Sequence, residues 1–358
     1  MNNNIFFKLL HFAIGAEESL GVVPNKNEWQ ELFALCSKQS LLGIAFQGIE
    51  RLQKTERLDF KLLMKWIAIT QRIKLMNALQ NQRCKELSEI FKKAGFRTCI
   101  LKGQGTSLLY PKPEYRQCGD IDIWVEGERN AVINFVKQSG INIRSIDIQH
   151  SEIDFFKDVP VEVHFTPSYT FNFVYGKRLE KWTNKMADSQ FANYDEAIGF
   201  ARPTVEFNLV FSLMHIYRHL FSEGIGLRQL LDYYYILKES TKEQRHEAYM
   251  QICQFGMKDF AGAVMFVLRQ VFVLDNDLML CPINNQYGDF LLNEILIAGN
   301  FGHYDDRYKL ASKQKKFLRG INQFKRNWCY VHYYPQEVLW SPIWKLWHWG
   351  WRKWNGYI

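Results

Sequence analysis

Two aspartates, Asp120 and Asp122, sit two residues apart in the run Cys118-Gly119-Asp120-Ile121-Asp122-Ile123-Trp124-Val125. Isoleucine, tryptophan and valine favour a strand there, and aspartate does not. Side chains alternate along a strand, so both carboxylates share one face. Like charges held that close repel unless a cation lies between them. Hard divalent cations such as Mg²⁺ take carboxylate oxygens and keep phosphate or water as further ligands. The run therefore reads as half of a metal–phosphate site. The plainer alternative is the solvated face of an edge strand.

The neighbouring residues strengthen the first reading. Thr98-Cys99-Ile100-Leu101 reads as a short buried strand, Gly103 and Gly105 break it, and Thr106-Ser107-Leu108-Leu109-Tyr110 opens a short helix. A strand, a glycine turn and a helix N-terminus present backbone N–H groups to phosphate. Lys102 adds a point charge and Ser107 a hydroxyl. Pro111-Lys112-Pro113 ends the helix, because proline cannot continue it. Arg116 follows, with a guanidinium that can grip phosphate in bidentate fashion. Downstream, Val159-Pro160-Val161-Glu162-Val163-His164-Phe165 alternates as a half-buried strand does, which puts Glu162 and His164 on one face. Beside the aspartate strand, Glu162 completes a three-carboxylate cluster. Such a cluster can hold two divalent ions for an in-line phosphoryl displacement. His164 orients Glu162, contacts substrate or fills a core position, and the structural role is favoured. His150, on another expected strand, is read in the same way.

These residues together resemble the nucleotidyltransferases of the DNA polymerase β superfamily. Within that superfamily the resemblance is closest to a bacterial branch described only as uncharacterised nucleotidyltransferases. It is carried by Leu101-Lys102-Gly103, Tyr110-Pro111, Arg116, Gly119-Asp120-Ile121-Asp122 and Glu162-Val163-His164, within residues 97–166. The resemblance implies Mg²⁺-dependent transfer of a nucleoside monophosphate from an NTP, such as ATP, with release of pyrophosphate. Two ions are implied, with Mn²⁺ as the alternative metal. Asp120, Asp122 and Glu162 are then the catalytic metal ligands, and Glu162 is also a candidate base toward the acceptor. Lys102, Gly103, Ser107 and Arg116 are the candidate nucleotide-binding residues. In place of the superfamily's usual glycine–serine pair, this chain has Gly103-Gln104-Gly105-Thr106-Ser107.

The elements that must position these groups follow from periodicity. Residues 1–95 read as helices, with an apolar stripe through Leu62, Leu63, Trp66, Ile69, Ile73, Met76 and Leu79. Gly95 closes the last of them as a C-cap. Residues 96–200 read as a small α/β core, with a helix near 128–139 among the strands. Residues 201–358 turn helical again. The expected fold class is α+β, a small mixed sheet flanked by N-terminal and C-terminal helical regions.

Within the last region, His215 and His219 lie at i, i+4 on one helix face. No glutamate follows in a His-Glu-x-x-His pattern, so zinc is disfavoured; a structural role for His215 is favoured, with a substrate contact as the alternative. Arg228 and Asp232 also lie at i, i+4. They either pair with each other, or Arg228 reaches a nucleotide phosphate. Trp340, Trp344, Trp347, Trp351 and Trp354 follow helical spacing, with Lys345, Arg352 and Lys353 among them. That helix docks on the core, lies at a membrane interface or stacks on bases; docking is favoured.

Composition bounds the remaining choices. The chain has 358 residues, a net charge of +8 and a pI near 9.0, which suits an NTP, a nucleic acid or an anionic membrane surface without choosing among them. No nucleic-acid-binding motif is present, so a small-molecule or protein acceptor is favoured over RNA or DNA. Seven cysteines without a Cys-x-x-Cys argue against zinc and a disulfide framework, and for a reducing cytoplasm. The start of the chain lacks a signal-peptide pattern, and no apolar run is long enough to span a bilayer. Two other functions share the carboxylates: metal-dependent phosphoester hydrolysis, and binding of a nucleotide or partner without turnover.

Overall fold

The computed structural model describes residues 3–53, 58–308 and 316–357. Four helices come first: α1 (Asn3–Ile14), α2 (Lys26–Lys38), α3 (Leu42–Arg51) and α4 (Phe60–Lys93). Asn25 and Glu28 form a reciprocal capping box on α2, and Asp59 accepts from the Leu62 N–H to start α4. Gly95, with φ at +86°, turns the chain out of α4 as expected of a C-cap.

α4 joins the two halves of the molecule. Near its start, Trp66 is buried edge-on against Trp29 and Phe33 of the helical layer. Near its end, Cys84, Leu87 and Phe91 pack against the sheet. Between them sit two buried amides. Asn77 donates to the carbonyls of Glu114 and Arg116 at 3.0 and 2.7 Å, and Gln80 donates to that of Gly119. Buried amides must find partners, and here the partners are the backbone leading into Asp120. α4 thereby fixes the approach to the aspartate strand.

The sheet has five strands, β1 (Thr98–Ile100), β2 (Ile121–Val125), β3 (Ile143–Ile146), β4 (His150–Ile153) and β5 (Val161–His164), in the order β1-β2-β5-β4-β3. Only β2 and β5 run parallel among these neighbours. A single-turn helix α5 (Gln104–Ser107) follows β1, and α6 (Arg129–Gln138) follows β2. Ile121, Ile123, Val125, Val161 and Val163 face α4 and α6 in one apolar layer. The opposite face carries Asp122, Trp124, Glu162 and His164. This mixed sheet among helices is the expected α+β architecture.

α7 (Phe173–Ala192) and a small hairpin, β6 (Tyr194–Asp195) with β7 (Phe200–Ala201), lead to the second helical group. That group comprises α8 (Val205–Ser222), α9 (Leu227–Glu239), α10 (Lys242–Gln254), α11 (Lys258–Phe272) and α12 (Asn285–Ala298). α8 closes the polar face of the sheet from above. A last pair, α13 (Lys316–Trp328) and α14 (Pro335–Trp354), follows, with α13 against α8 and α14. Among the described residues, no helix is long and apolar enough to cross a membrane.

α14 is tied down by its first turns. Trp344 stacks on Tyr169 at 4.5 Å, and the buried Glu337 accepts from the Phe171 N–H at 2.9 Å. Burial pushes the Glu337 carboxyl up to about 7, against the pull of Arg218 and two backbone N–H groups. A carboxyl raised in the folded state gives stability that is complete below its unfolded value and is lost as pH rises through about 7. Glu337→Gln keeps an acceptor and removes the ionisation. Urea titrations should show the native protein losing about 3 kcal/mol between mildly acidic and mildly alkaline pH, and the variant losing little of it.

Candidate active site

The turn after β1 and the start of β2 lie side by side because β1 and β2 are antiparallel neighbours. Gly103, at φ +57°, makes that turn, and a side chain on Gly105 would strike the Ile100 carbonyl at 2.2 Å. Parallel pairing of β2 with β5 puts Asp122 directly opposite Glu162. The carboxylate oxygens of Asp120, Asp122 and Glu162 come within 4.8 Å of one another. The expected three-carboxylate cluster is therefore assembled.

Lys102 and His164 hold it together. Lys102 Nζ lies 2.7 Å from Asp122 Oδ1, and His164 Nε2 lies 2.9 Å from the same oxygen and 3.5 Å from Glu162. Burial opposes charge on Asp122, but Lys102 and His164 outweigh it and hold the carboxyl well below its usual range. Asp120 goes the other way. The Asp122 charge, then burial, push it up to about 6. Burial works against the Lys102 ammonium and the His164 imidazolium, yet the facing carboxylates raise both above their ordinary values. Two carboxyl groups pushed apart in this way, with a third beside them, form a set short of positive charge. Hard divalent cations fit that donor set of three carboxylates. His150 and His164 with Glu162 form a second group of suitable spacing, and it shares Glu162 with the first.

Above the cluster lies a cavity of about 420 Å³. Lys102, Gly103, Arg116, His164, His215 and Arg228 all line it, as do the three carboxylates. Burial, then the Lys102 charge, push His215 well below its ordinary value, so it meets the cavity as a neutral imidazole. His215 and His219 rings touch edge to face at 4.2 Å. They are not among the groups spaced for a metal in the described residues.

Three expectations need correction. Ser107 does not line the cavity: its buried hydroxyl donates to the Gln104 carbonyl at 3.1 Å, and Thr106 lines the wall instead. The helix begins at Gln104 rather than Thr106, which rotates Ser107 inward. Being a single turn, it carries little dipole, so the positive field in the cavity comes from side chains. Arg228 does not pair with Asp232; it donates to the Gln117 carbonyl at 2.7 Å. Asp232 is instead gripped by Arg116 through two bonds of 2.7 Å, and Tyr110 donates to it at 2.6 Å. Arg116 is thereby a braced strut beside the site. Asp232→Asn would leave that buried guanidinium without its countercharge, and should cost about 3–5 kcal/mol in urea unfolding.

Arg218 escaped the sequence reading. It is buried over the rings of Tyr169 and Phe171, at 3.9 and 4.2 Å, and donates to the Tyr169 hydroxyl. Its Nε and Nη1 have no hydrogen-bond partner in the structure, and the residue lines the cavity. The available signal was a polar set on an apolar helix, Ser212, His215, Arg218, His219 and Ser222, at roughly helical spacing.

A family model described as "Uncharacterised nucleotidyltransferase" matches residues 25–272, which take in the carboxylates, the cation-lined cavity and α8 to α11. The chain belongs to this family. No curated protein and no solved structure gives a significant match. Membership supports nucleotidyl transfer in general and an NTP as substrate. The α13–α14 pair lies beyond the matched residues.

Proposed function

We propose that this nucleotidyltransferase moves a nucleoside monophosphate from an NTP to a hydroxyl or amine of a small molecule. The observation that carries the reading is the juxtaposition of Asp120, Asp122 and Glu162 beneath a cavity lined with Lys102, Arg218 and Arg228. Lys102 and Arg228 would bind the triphosphate, with Gly103 leaving room for it. Arg218, which lines the same cavity, would add a further phosphate contact. Arg116 contributes field and bracing rather than direct grip, because Asp232 occupies its fork. His215 faces the same space as a neutral contact for substrate. Two Mg²⁺ ions, with Mn²⁺ as the alternative, held by Asp120, Asp122 and Glu162 would supply Lewis-acid charge to the reacting phosphate and the departing pyrophosphate.

In the reaction, the acceptor oxygen or nitrogen bonds to the α-phosphorus. The bond from that phosphorus to the bridging oxygen breaks, and pyrophosphate leaves with the electron pair. Glu162 takes the acceptor proton; its pKa is held below the usual range, with burial opposed by the bond from His164. Such transfers depend on positioning and charge neutralisation more than on covalent chemistry.

A second cavity, of about 570 Å³, meets the first at Gly119. Leu42, Ile69, Ile73 and Met76 give it an apolar wall, and Arg72 and His303 a basic rim. That volume and mixed lining suit a small organic acceptor. Incubation with α-labelled NTPs and a panel of small alcohols and amines tests the reading. Labelled acceptor plus pyrophosphate is the expected result. Labelled mononucleotide without any labelled acceptor would instead indicate hydrolysis.

A further inference from the structure

The net positive charge of the sequence is concentrated in its last fifty residues. Residues 309–358 carry ten Lys and Arg against one acid, Glu337, while the whole chain sums to +8, so the first 308 residues are close to neutral. Glu337 is buried and faces the interior. The same end exposes apolar side chains in ordered stripes. On α14, Leu339, Ile343, Leu346 and Trp354 recur at helical spacing, and Leu346 and Trp354 are 69% and 91% exposed. On α13, Ile321, Phe324 and Trp328 form a matching stripe, with Phe324 and Trp328 rings 5.7 Å apart. Lys325 and Lys353 sit within these stripes, both exposed, and Lys353 lies over the Trp349 ring at 5.5 Å. Lys345 Nζ, bonded to Gln323 at 2.8 Å, ties the two helices together.

We infer that the α13–α14 pair docks on an anionic lipid bilayer surface. Aliphatic and indole side chains at the surface of a monomer are costly unless something covers them. An in-plane amphipathic helix buries its apolar face at the headgroup boundary, while lysines reach back to the phosphates. A surface without exposed acid between its aromatics complements anionic lipid specifically. A nucleic acid fits less well, because leucine and isoleucine do not stack on bases. A second copy fits less well, because two basic faces repel. The surface lies outside the nucleotide cavity, so the inference stands apart from the proposed reaction.

The test uses the full chain without nucleotide. Co-sedimentation is measured with vesicles of phosphatidylcholine alone and of phosphatidylcholine with phosphatidylglycerol. The expected result is binding to the mixed vesicles only, weakened by salt, with a blue shift of tryptophan emission. Leu346→Ser/Trp354→Ser and Lys325→Glu/Lys353→Glu alter exposed positions, and each should lower partitioning about tenfold or more with unchanged circular dichroism. Absence of vesicle binding, or equal binding to both vesicles, overturns the inference. So does a dimer that Leu346→Ser/Trp354→Ser dissociates, or RNA retention that Lys325→Glu/Lys353→Glu abolishes, without vesicle binding.

Discussion

Asp122→Asn should lower nucleotidyl transfer by on the order of 10³-fold, about 4 kcal/mol of barrier. Asp122 is the carboxylate at the centre of the cluster: it faces Glu162 across the strand pair and receives both Lys102 and His164. Losing its charge removes a metal ligand and frees Lys102 and His164 from the partner that orients them. Asn still fills the volume, so circular dichroism should remain native while turnover collapses. Its effect should also differ from that of Asp120→Asn in pH dependence. Asp120 is the group pushed up to about 6 before any ion binds, so protons should compete with Mg²⁺ below that value and native activity at limiting Mg²⁺ should fall there. In Asp122→Asn the main cause of that upward push is gone, and any residual activity should persist to lower pH. Steady-state assays across mildly acidic to neutral pH read both effects. A variant with native turnover would remove the carboxylate cluster from the mechanism.

Lys102→Met should separate the two roles of the lysine. In the metal-free protein Lys102 supplies the counter-charge to three carboxylates. Methionine keeps the length and loses the charge. Leaving a buried carboxylate without its cation should cost about 3 kcal/mol or more of stability. The sign follows from Asp122, whose depressed pKa contributes stability above its unfolded value and loses it as pH falls; without Lys102 that contribution shrinks. A ligand that binds only the folded state restores stability by mass action. Millimolar-range Mg²⁺ should therefore stabilise the variant more than the native protein, because no ammonium competes for the carboxylates. Transfer should still fall, because the triphosphate has lost a cation. Thermal melts with and without Mg²⁺, beside transfer assays, check this pair of outcomes. A variant that Mg²⁺ does not rescue would mean that the carboxylates do not take the ion.

The parts of the site legible in the sequence were those set by local rules. Two-residue alternation placed Asp120 with Asp122, and Glu162 with His164, before any pairing was known. The glycines at 103 and 105 marked a turn, where 103 takes a positive φ and 105 has no room for a side chain. The helical character of residues 59–94 and the cap at Gly95 were equally plain, but not that those residues form one continuous helix. What could not be read depended on long-range partners. Arg116 meets Asp232 from a distant helix, and that pairing cancels both the free phosphate grip at 116 and the helical pair at 228 and 232. Ser107 moved with a helix start two residues earlier than the glycines suggested. Arg218 was hidden because one arginine on an apolar helix looks like a surface residue until Tyr169 and Phe171 are seen to lie under it. Asn77 and Gln80 had a signal of their own, two amides on the buried stripe of α4, but their role appears only once the backbone before Asp120 lies against them.

The most direct test of the central claim is calorimetric binding of each NTP with and without Mg²⁺, comparing the native chain with Asp120→Asn/Asp122→Asn. Binding that needs Mg²⁺ and disappears in the double variant is the predicted result, and it names the donor nucleotide. Binding that is indifferent to Mg²⁺ and to both substitutions would contradict a metal-centred transferase site at these carboxylates.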